Sequence, residues 1–209
     1  MEIIRGKNTS FINATALADI LTGYERIHLD IGTGDGRFVR HLAQQCPHDF
    51  VIGIDANRDN LREVSRRAPN NTLFVIANAM ALPVELTGLA AQITINFPWG
   101  SLIQGLLDGD PALMDGLHTV SRPNAALEVR LNGGALAEAG WTFEAGHQRV
   151  QQMLSVNGFA LRSPLTLAAG DLKGIPTTWA KRLAFGRDPR AMLLRGTRIA
   201  ERVGEMIEM

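Results

Sequence analysis

Residues able to do chemistry concentrate at three places in this chain. "LDIGTGDGR" (29–37) sets Gly32, Gly34 and Gly36 directly behind an apolar run, with Asp30 just ahead of them. Glycines at that spacing permit a tight turn and a close backbone approach to a ligand. Asp55 ends the next apolar run, about twenty residues on, where an acidic side chain can bind ribose hydroxyls. Together these predict a nucleoside-cofactor site. Asp30 bears on which cofactor: a carboxylate there repels a pyrophosphate and attracts the cation of a methionine moiety. A nicotinamide dinucleotide is the alternative.

"INFPWGSL" (95–102) is an apolar strand that stops abruptly at Pro98-Trp99-Gly100. A core-filling Trp would sit inside an element. At a strand tip, shaped by Pro98 and Gly100, Trp99 is expected on the rim of a crevice; the competing reading is a Trp that caps the sheet core. "TTWAKRLAFGRDPR" (177–190) embeds Trp179 among Lys181, Arg182, Arg187 and Arg190, opposed only by Asp188. An aromatic among cations offers both stacking and phosphate contact, the pairing that suits nucleic acid. Arg58, Arg62, Arg66 and Arg67 form a second basic group, diluted by Asp59 and Glu63, which also fits an ordinary exposed helix. The formal net charge is zero, so nucleic-acid binding must come from such local patches.

The elements that position these residues alternate. Strands are predicted at 26–32, 49–55, 72–78, 91–97, 124–132, 160–168 and 191–198, and helices at 36–46, 60–68, 111–122 and 147–159. Residues 1–12 could form a small hairpin around Gly6. Repeated strand–helix units imply an α/β fold, a seven-stranded, mostly parallel sheet with helices on both faces and an antiparallel pair at one edge. Ligands in such sheets sit beyond the carboxyl ends of the strands, at the switch point. The chain is read as one domain, 1–209. The single Cys46 excludes an internal disulfide and gives no metal cluster, so no metal is expected. No apolar stretch reaches the roughly 18 residues of a membrane span, and the N-terminus lacks the apolar stretch of a signal peptide. A cytoplasmic monomer is expected.

"NAMALP" (78–83), behind the third strand, resembles the adenine-contacting turn of methyltransferases. With the glycine turn, Asp30 and Asp55, the chain resembles the class I S-adenosylmethionine-dependent methyltransferases, a Rossmann-like fold. "DIGTGDGR", "FPWGSL" and "WAKRLAFGR" occur in this order in the aminoglycoside-resistance 16S ribosomal RNA adenine-N1 methyltransferases of the KamB/NpmA type, and the similarity covers most of the chain. The resemblance implies S-adenosylmethionine as cofactor and methylation of N1 of the decoding-site adenine on the assembled 30S subunit. It implies that Trp99 and Trp179 clamp the flipped base, with Phe97 and Pro98 in the same catalytic set. It assigns Asp30, Gly32, Thr33, Gly34, Asp55, Ala56, Asn78, Ala79, Ser101 and Thr177 to the cofactor, with Thr178 as the alternative to Thr177 for the small hydroxyl residue before the second Trp. Arg62, Arg66, Arg67, Lys181, Arg182, Arg187 and Arg190 are then RNA contacts. This chain departs from the family in its short linker "APNNT" (68–72), its shortened 133–146 segment and Met80 where relatives tend to carry Glu.

Alkylation of adenine N1 uses a free lone pair and releases no proton from that atom, so it needs no general base. It needs extrusion and placement of the base and tolerance of the positive charge that develops. His28, His41, His48, His118 and His147 are accordingly read as structural or surface residues. A methyltransferase for another RNA or a small molecule, and a cofactor-binding module without turnover, are the alternative functions.

Overall fold

The computed structural model describes residues 1–186 and 188–200; the expected RNA contact Arg187 lies outside them. The first residues form the anticipated hairpin. Strand β1 (Glu2–Arg5) pairs antiparallel with β2 (Asn8–Phe11) around Gly6, whose φ of +63° suits the turn. Then come α1 (Ala14–Leu21), β3 (Arg26–Ile31), α2 (Arg37–Gln45), β4 (Asp49–Asp55), α3 (Arg58–Arg66) and β5 (Thr72–Ile76). The middle of the chain holds β6 (Ala90–Asn96), α4 (Gly100–Asp108), α5 (Pro111–Val120), β7 (Ser121–Asn132), α6 (Gly133–Glu138) and α7 (Phe143–Val156). It closes with β8 (Phe159–Leu161), β9 (Leu165–Thr166), α8 (Ala169–Gly174), α9 (Thr178–Phe185) and β10 (Ala191–Arg198).

One sheet runs in the order β2-β1-β5-β4-β3-β6-β7-β10-β8, with β9 also on β10. The five central strands are parallel, and β10 lies antiparallel between β7 and β8. Chain order runs outward from β3 toward β5 on one side and from β6 toward β7 on the other. The switch point therefore falls between the carboxyl ends of β3 and β6, where Asp30 and the Pro98-Trp99 tip converge. Along β4, Phe50, Ile52 and Ile54 join the core under α1, α4, α5 and α7, while Val51 joins α2 and α3 on the opposite face. Helices thus cover both faces of the sheet.

Several boundaries differ from expectation. The 160–168 run is two strands, because Pro164 has no N–H to donate and interrupts the ladder. Arg122-Pro123-Asn124, placed by the sequence ahead of or at the start of the 124–132 strand, is part of a longer one that begins at Ser121. It lies inside β7 as an irregularity, with Asn124 at φ +62° and a register shift opposite Ala90/Gln92. Helix α7 starts at Phe143, four residues early, because Thr142 caps it (Ala145 N to Oγ1, 3.2 Å). It ends before Gly158, and Phe159 passes into β8. Helices α1, α4, α6, α8 and α9 were not anticipated. None exceeds nine residues, too short for periodicity to register. No helix among the described residues is long and apolar enough to cross a membrane.

Candidate active site

A crevice of about 470 Å³ opens at the carboxyl ends of β3, β4, β5 and β6, a size suited to a small ligand. Its floor is Asp30, only 1% exposed. Oδ1 of Asp30 accepts from Thr94 Oγ1 (2.6 Å) and Asn96 Nδ2 (2.8 Å), whereas Oδ2 has no partner in the protein. Burial pushes this carboxyl above the usual range, and the neighbouring Thr33 hydroxyl, the Thr94 and Asn96 hydrogen bonds and the Arg130 charge offset that only partly. Asn96 is itself held by Arg130 Nη1 (2.8 Å). Arg130 pairs with Glu128 (2.5 Å), and Glu128 in turn accepts from Arg195 (2.9 Å). This polar row crosses β3, β6, β7 and β10 on one face of the sheet. Asn96 and Arg130 had no sequence motif to mark them; only the parallel register of β3, β6 and β7 brings them beside Asp30.

The glycine turn is spent differently from a phosphate cradle. The N–H groups of Gly32 and Thr33 donate to Ile54 O (2.8 and 2.9 Å), that of Gly34 to Asp55 Oδ2 (2.8 Å) and that of Gly36 to Thr33 O (3.1 Å). The expectation that these N–H groups face a ligand is therefore corrected: they are satisfied inside the fold. A diphosphate would meet no free row of donors and a buried carboxylate, which argues against a dinucleotide. An orphaned carboxylate oxygen instead fits a ligand ammonium. Asp55 Oδ1 accepts from Asn57 N (2.8 Å) and Asn60 Nδ2 (3.3 Å), so the acidic residue locks the turn as well as facing the crevice.

All ten residues expected at the cofactor line this crevice, as does Thr178, the alternative to Thr177, together with Asp35, Asn60, Asn96 and Leu102, which sequence reasoning did not single out. Besides Asp30 and Asp55, two of the ten have side chains already committed. Asn78 Oδ1 accepts from Met80 N (3.0 Å), shaping the turn behind β5, and Thr177 Oγ1 caps α9 through Ala180 N (2.9 Å).

The Pro98-Trp99 tip owes its direction to two left-handed residues, Phe97 at φ +52° and Gly100 at φ +56°. A left-handed Phe is strained and persists only where its surroundings hold it. Here the Phe97 ring is 1% exposed in a cluster with Leu172, Ala180 and Leu183, beneath α9. Phe97 lines the crevice and seats the helix that carries Trp179. Trp99 and Trp179 are half-buried and stack on each other, ring centroids 4.6 Å apart at 25°. Arg182 lies over the Trp179 ring at 5.0 Å. The rings leave no room for a third ring between them; a base sandwiched there needs about twice that separation. Trp99 Nε1 is buried without a partner at the crevice.

None of the expected RNA contacts among the described residues lines the crevice; Arg62, Arg66, Arg67, Lys181, Arg182 and Arg190 are exposed. Arg62 pairs with Asp59 (3.3 Å) and Arg66 with Glu63 (2.8 Å). Arg190 is gripped by both oxygens of Asp188 (2.7 Å each), which holds that carboxyl below its usual range. The five histidines are absent from the crevice lining, as expected of structural residues. Among the described residues no group of three or more His, Cys, Asp or Glu side chains could hold a metal.

The profile of the 16S rRNA (adenine(1408)-N(1))-methyltransferase family, NpmA, matches residues 2–198. The chain is similar to an Escherichia coli protein named 16S rRNA (adenine(1408)-N(1))-methyltransferase, 30% identical over 90% of this chain and 94% of that one. Among solved structures it is similar to the aminoglycoside resistance methyltransferase NpmB1 (TM-score 0.80, 31% identity, 95% of this chain and 99% of that one). It is also similar to a variant of the 16S rRNA (adenine(1408)-N(1))-methyltransferase of Catenulisporales acidiphilia solved with cosubstrate SAM (TM-score 0.84, 25% identity, 98% of this chain and 99% of that one). The match spans both aromatic positions, the glycine turn and the polar row beneath it, and the chain belongs to the 16S rRNA (adenine(1408)-N(1))-methyltransferase family.

Proposed function

We propose that this protein transfers a methyl group from S-adenosylmethionine to N1 of the decoding-site adenine of 16S rRNA in the assembled 30S subunit, and so confers aminoglycoside resistance in the cytoplasm. The observation that carries this reading is the unpartnered Oδ2 of the buried Asp30 carboxylate at the base of a crevice whose rim is an aromatic pair. Bound S-adenosylmethionine supplies an electrophilic methyl group on a sulfonium cation. Asp30 Oδ2 takes the ammonium of its methionine end, Asp55 the ribose hydroxyls, and the Asn78–Ala79 turn flanks the adenine. The chain's part in the transfer is placement and charge tolerance. Trp99 and Trp179 part to admit the extruded base, and their faces stabilise the ring as it becomes cationic. No residue needs to take a proton.

Docking draws on the exposed cations that have no carboxylate partner among the described residues, Lys181, Arg182 and Arg67 foremost, through phosphate contacts whose register requires a folded RNA surface. The test is incubation of the protein with radiolabelled cofactor and either purified 30S subunits or naked 16S rRNA, followed by primer extension. Label on subunits alone, a stop at the decoding-site adenine and binding that weakens steeply with salt support the reading. Equal labelling of naked RNA, a stop elsewhere, or cofactor binding without transfer overturns it.

A further inference from the structure

Asp35 stands inside the glycine turn, between two left-handed glycines at φ +57° and +65°. It has no part in the ribose or ammonium contacts described above. Its carboxylate reaches away from them to α9, where Oδ2 accepts a hydrogen bond from Thr178 Oγ1 at 2.5 Å, across 143 residues of sequence. Arg37 fixes the carboxylate from the other side, Nε 3.2 Å from Oδ2 and N donating to Oδ1 at 3.3 Å. Thr178 is the first residue of α9 and immediately precedes Trp179. The neighbouring hydroxyl, Thr177 Oγ1, is committed to the helix cap, which leaves Thr178 to make the crossing. Among the described residues no other side-chain hydrogen bond joins residues 32–36 to α9. The rest of α9 is seated on Phe97 and Leu172 through Ala180 and Leu183, a contact independent of the turn.

We propose that Asp35 is a positioning residue that ties the cofactor-bearing turn to the helix presenting Trp179, so that filling the cofactor pocket is felt at the aromatic pair. The turn and the first turn of α9 share one hydrogen bond. Any adjustment of Gly34 and Gly36 around a bound cofactor must move Thr178 or break that bond. The face offered to the base is then set by the state of the cofactor site. This rests on the function proposed above for what the aromatic pair holds, but the coupling itself does not require RNA.

Thr178→Val, Asp35→Ala and the double variant test it, with Thr178→Ser as the variant that keeps the hydroxyl. In a Trp141→Phe background, indole emission reports Trp99 and Trp179 alone. Titration with S-adenosylmethionine should change that emission in the parent and in Thr178→Ser. Thr178→Val and Asp35→Ala should lose most of the change while retaining cofactor affinity within a few-fold. Single-turnover methylation of 30S subunits at saturating cofactor should fall roughly tenfold in each single variant, the worth of one partly exposed hydrogen bond to a charged group. It should fall no further in the double variant, because both changes remove the same bond. A parent emission that ignores the cofactor, losses that add in the double variant, or a Thr178→Val protein that behaves as the parent in both assays overturns the coupling. A parent that binds cofactor and changes emission but methylates no subunit counts against the proposed function while supporting the coupling.

Discussion

Asp30→Asn separates two consequences of one buried carboxylate. In the folded chain Oδ1 holds Thr94 and Asn96 while Oδ2 is unpartnered at 1% residue exposure. An Asn keeps the shape: its oxygen can retain both hydrogen bonds, and its amide then turns donors toward the crevice. A cofactor ammonium would meet N–H groups in place of a charged acceptor. The lost charge-assisted hydrogen bond is worth about 1.5–3 kcal/mol, or roughly tenfold to 150-fold in Kd. Stability of the ligand-free protein should move the other way. An ionised carboxylate buried without an ion-pair partner of its own is a cost, and Arg130 keeps its pairing with Glu128 when that charge is removed. The melting temperature of the free protein should therefore hold or rise.

The pH dependence carries its own sign. Because burial raises the Asp30 value, its ionised form weakens the free fold at higher pH. That cost is relieved as pH falls through the raised value, which lies above the ordinary aspartate near 3.9. Protonation also removes the acceptor for the ammonium, so wild-type cofactor affinity should decline over the same acidic window, and Asp30→Asn should lack that decline. Calorimetric titrations with S-adenosylmethionine across the acidic range, beside thermal melts of the free protein, read all three effects. An Asn variant that binds as tightly as wild type, or that melts well below it, would refute the reasoning.

Trp99→Ala and Trp179→Ala should each slow single-turnover methylation roughly tenfold to several thousandfold, from lost stacking and cation–π stabilisation. Cofactor affinity and subunit docking should change far less, and Phe should recover part of the rate; normal methylation in both Ala variants would show that the pair does not hold the base. Gly36→Ala should destabilise by roughly 2–5 kcal/mol in urea titrations, since it forces φ +65° on a residue whose Cβ would lie 2.6 Å from Val64 Cγ1 and 2.7 Å from Phe74 Cε1. Asp49, 3% exposed, would be raised by burial but is held below the usual range by His28 (2.8 Å) and Arg26 (2.9 Å). A lowered carboxyl stabilises above its unfolded value and loses that contribution as pH falls through the folded one. Asp49→Asn should therefore cost about 1–3 kcal/mol near neutrality, discounted for the exposed Arg26, and the gap should close in acid.

What could be read along the chain was whatever a contiguous stretch decides for itself. Strands β3, β4, β5 and β6 are apolar runs bounded by polar or glycine residues, and each formed close to its expected limits. Periodicity failed where elements are short or where a cap governs the start. Thr142 moved α7 forward, and α4 and α6 begin at glycines, which lower helix propensity. In α4 the internal Gly105 answers to packing, since a Cβ there would lie 2.5 Å from Met80 Cε. A side chain there would have to displace the end of a Met 25 residues away in the chain, and no local window contains that neighbour.

The candidate site divides along the same line. Sequence shows which residue types stand at the strand ends, but not which of their lone pairs and protons are already used. Asp55 spends part of its carboxylate on Gly34, and Arg130, Asn96 and Thr178 matter only through partners in other strands or in the glycine turn. The basic residues show why the distinction bears on function. Seven cations were expected to meet RNA, yet three of the described ones already have carboxylate partners. The Arg62–Asp59 and Arg66–Glu63 pairs are exposed i,i+3 contacts worth about 0.2–0.5 kcal/mol, which a phosphate can displace with little loss. Arg190 is different: both guanidinium contacts to Asp188 are 2.7 Å and parallel, so a phosphate must replace a formed fork before it gains anything. Docking should accordingly lean on Lys181, Arg182 and Arg67, and the salt dependence of binding should report fewer phosphate contacts than a count of arginines along the chain suggests.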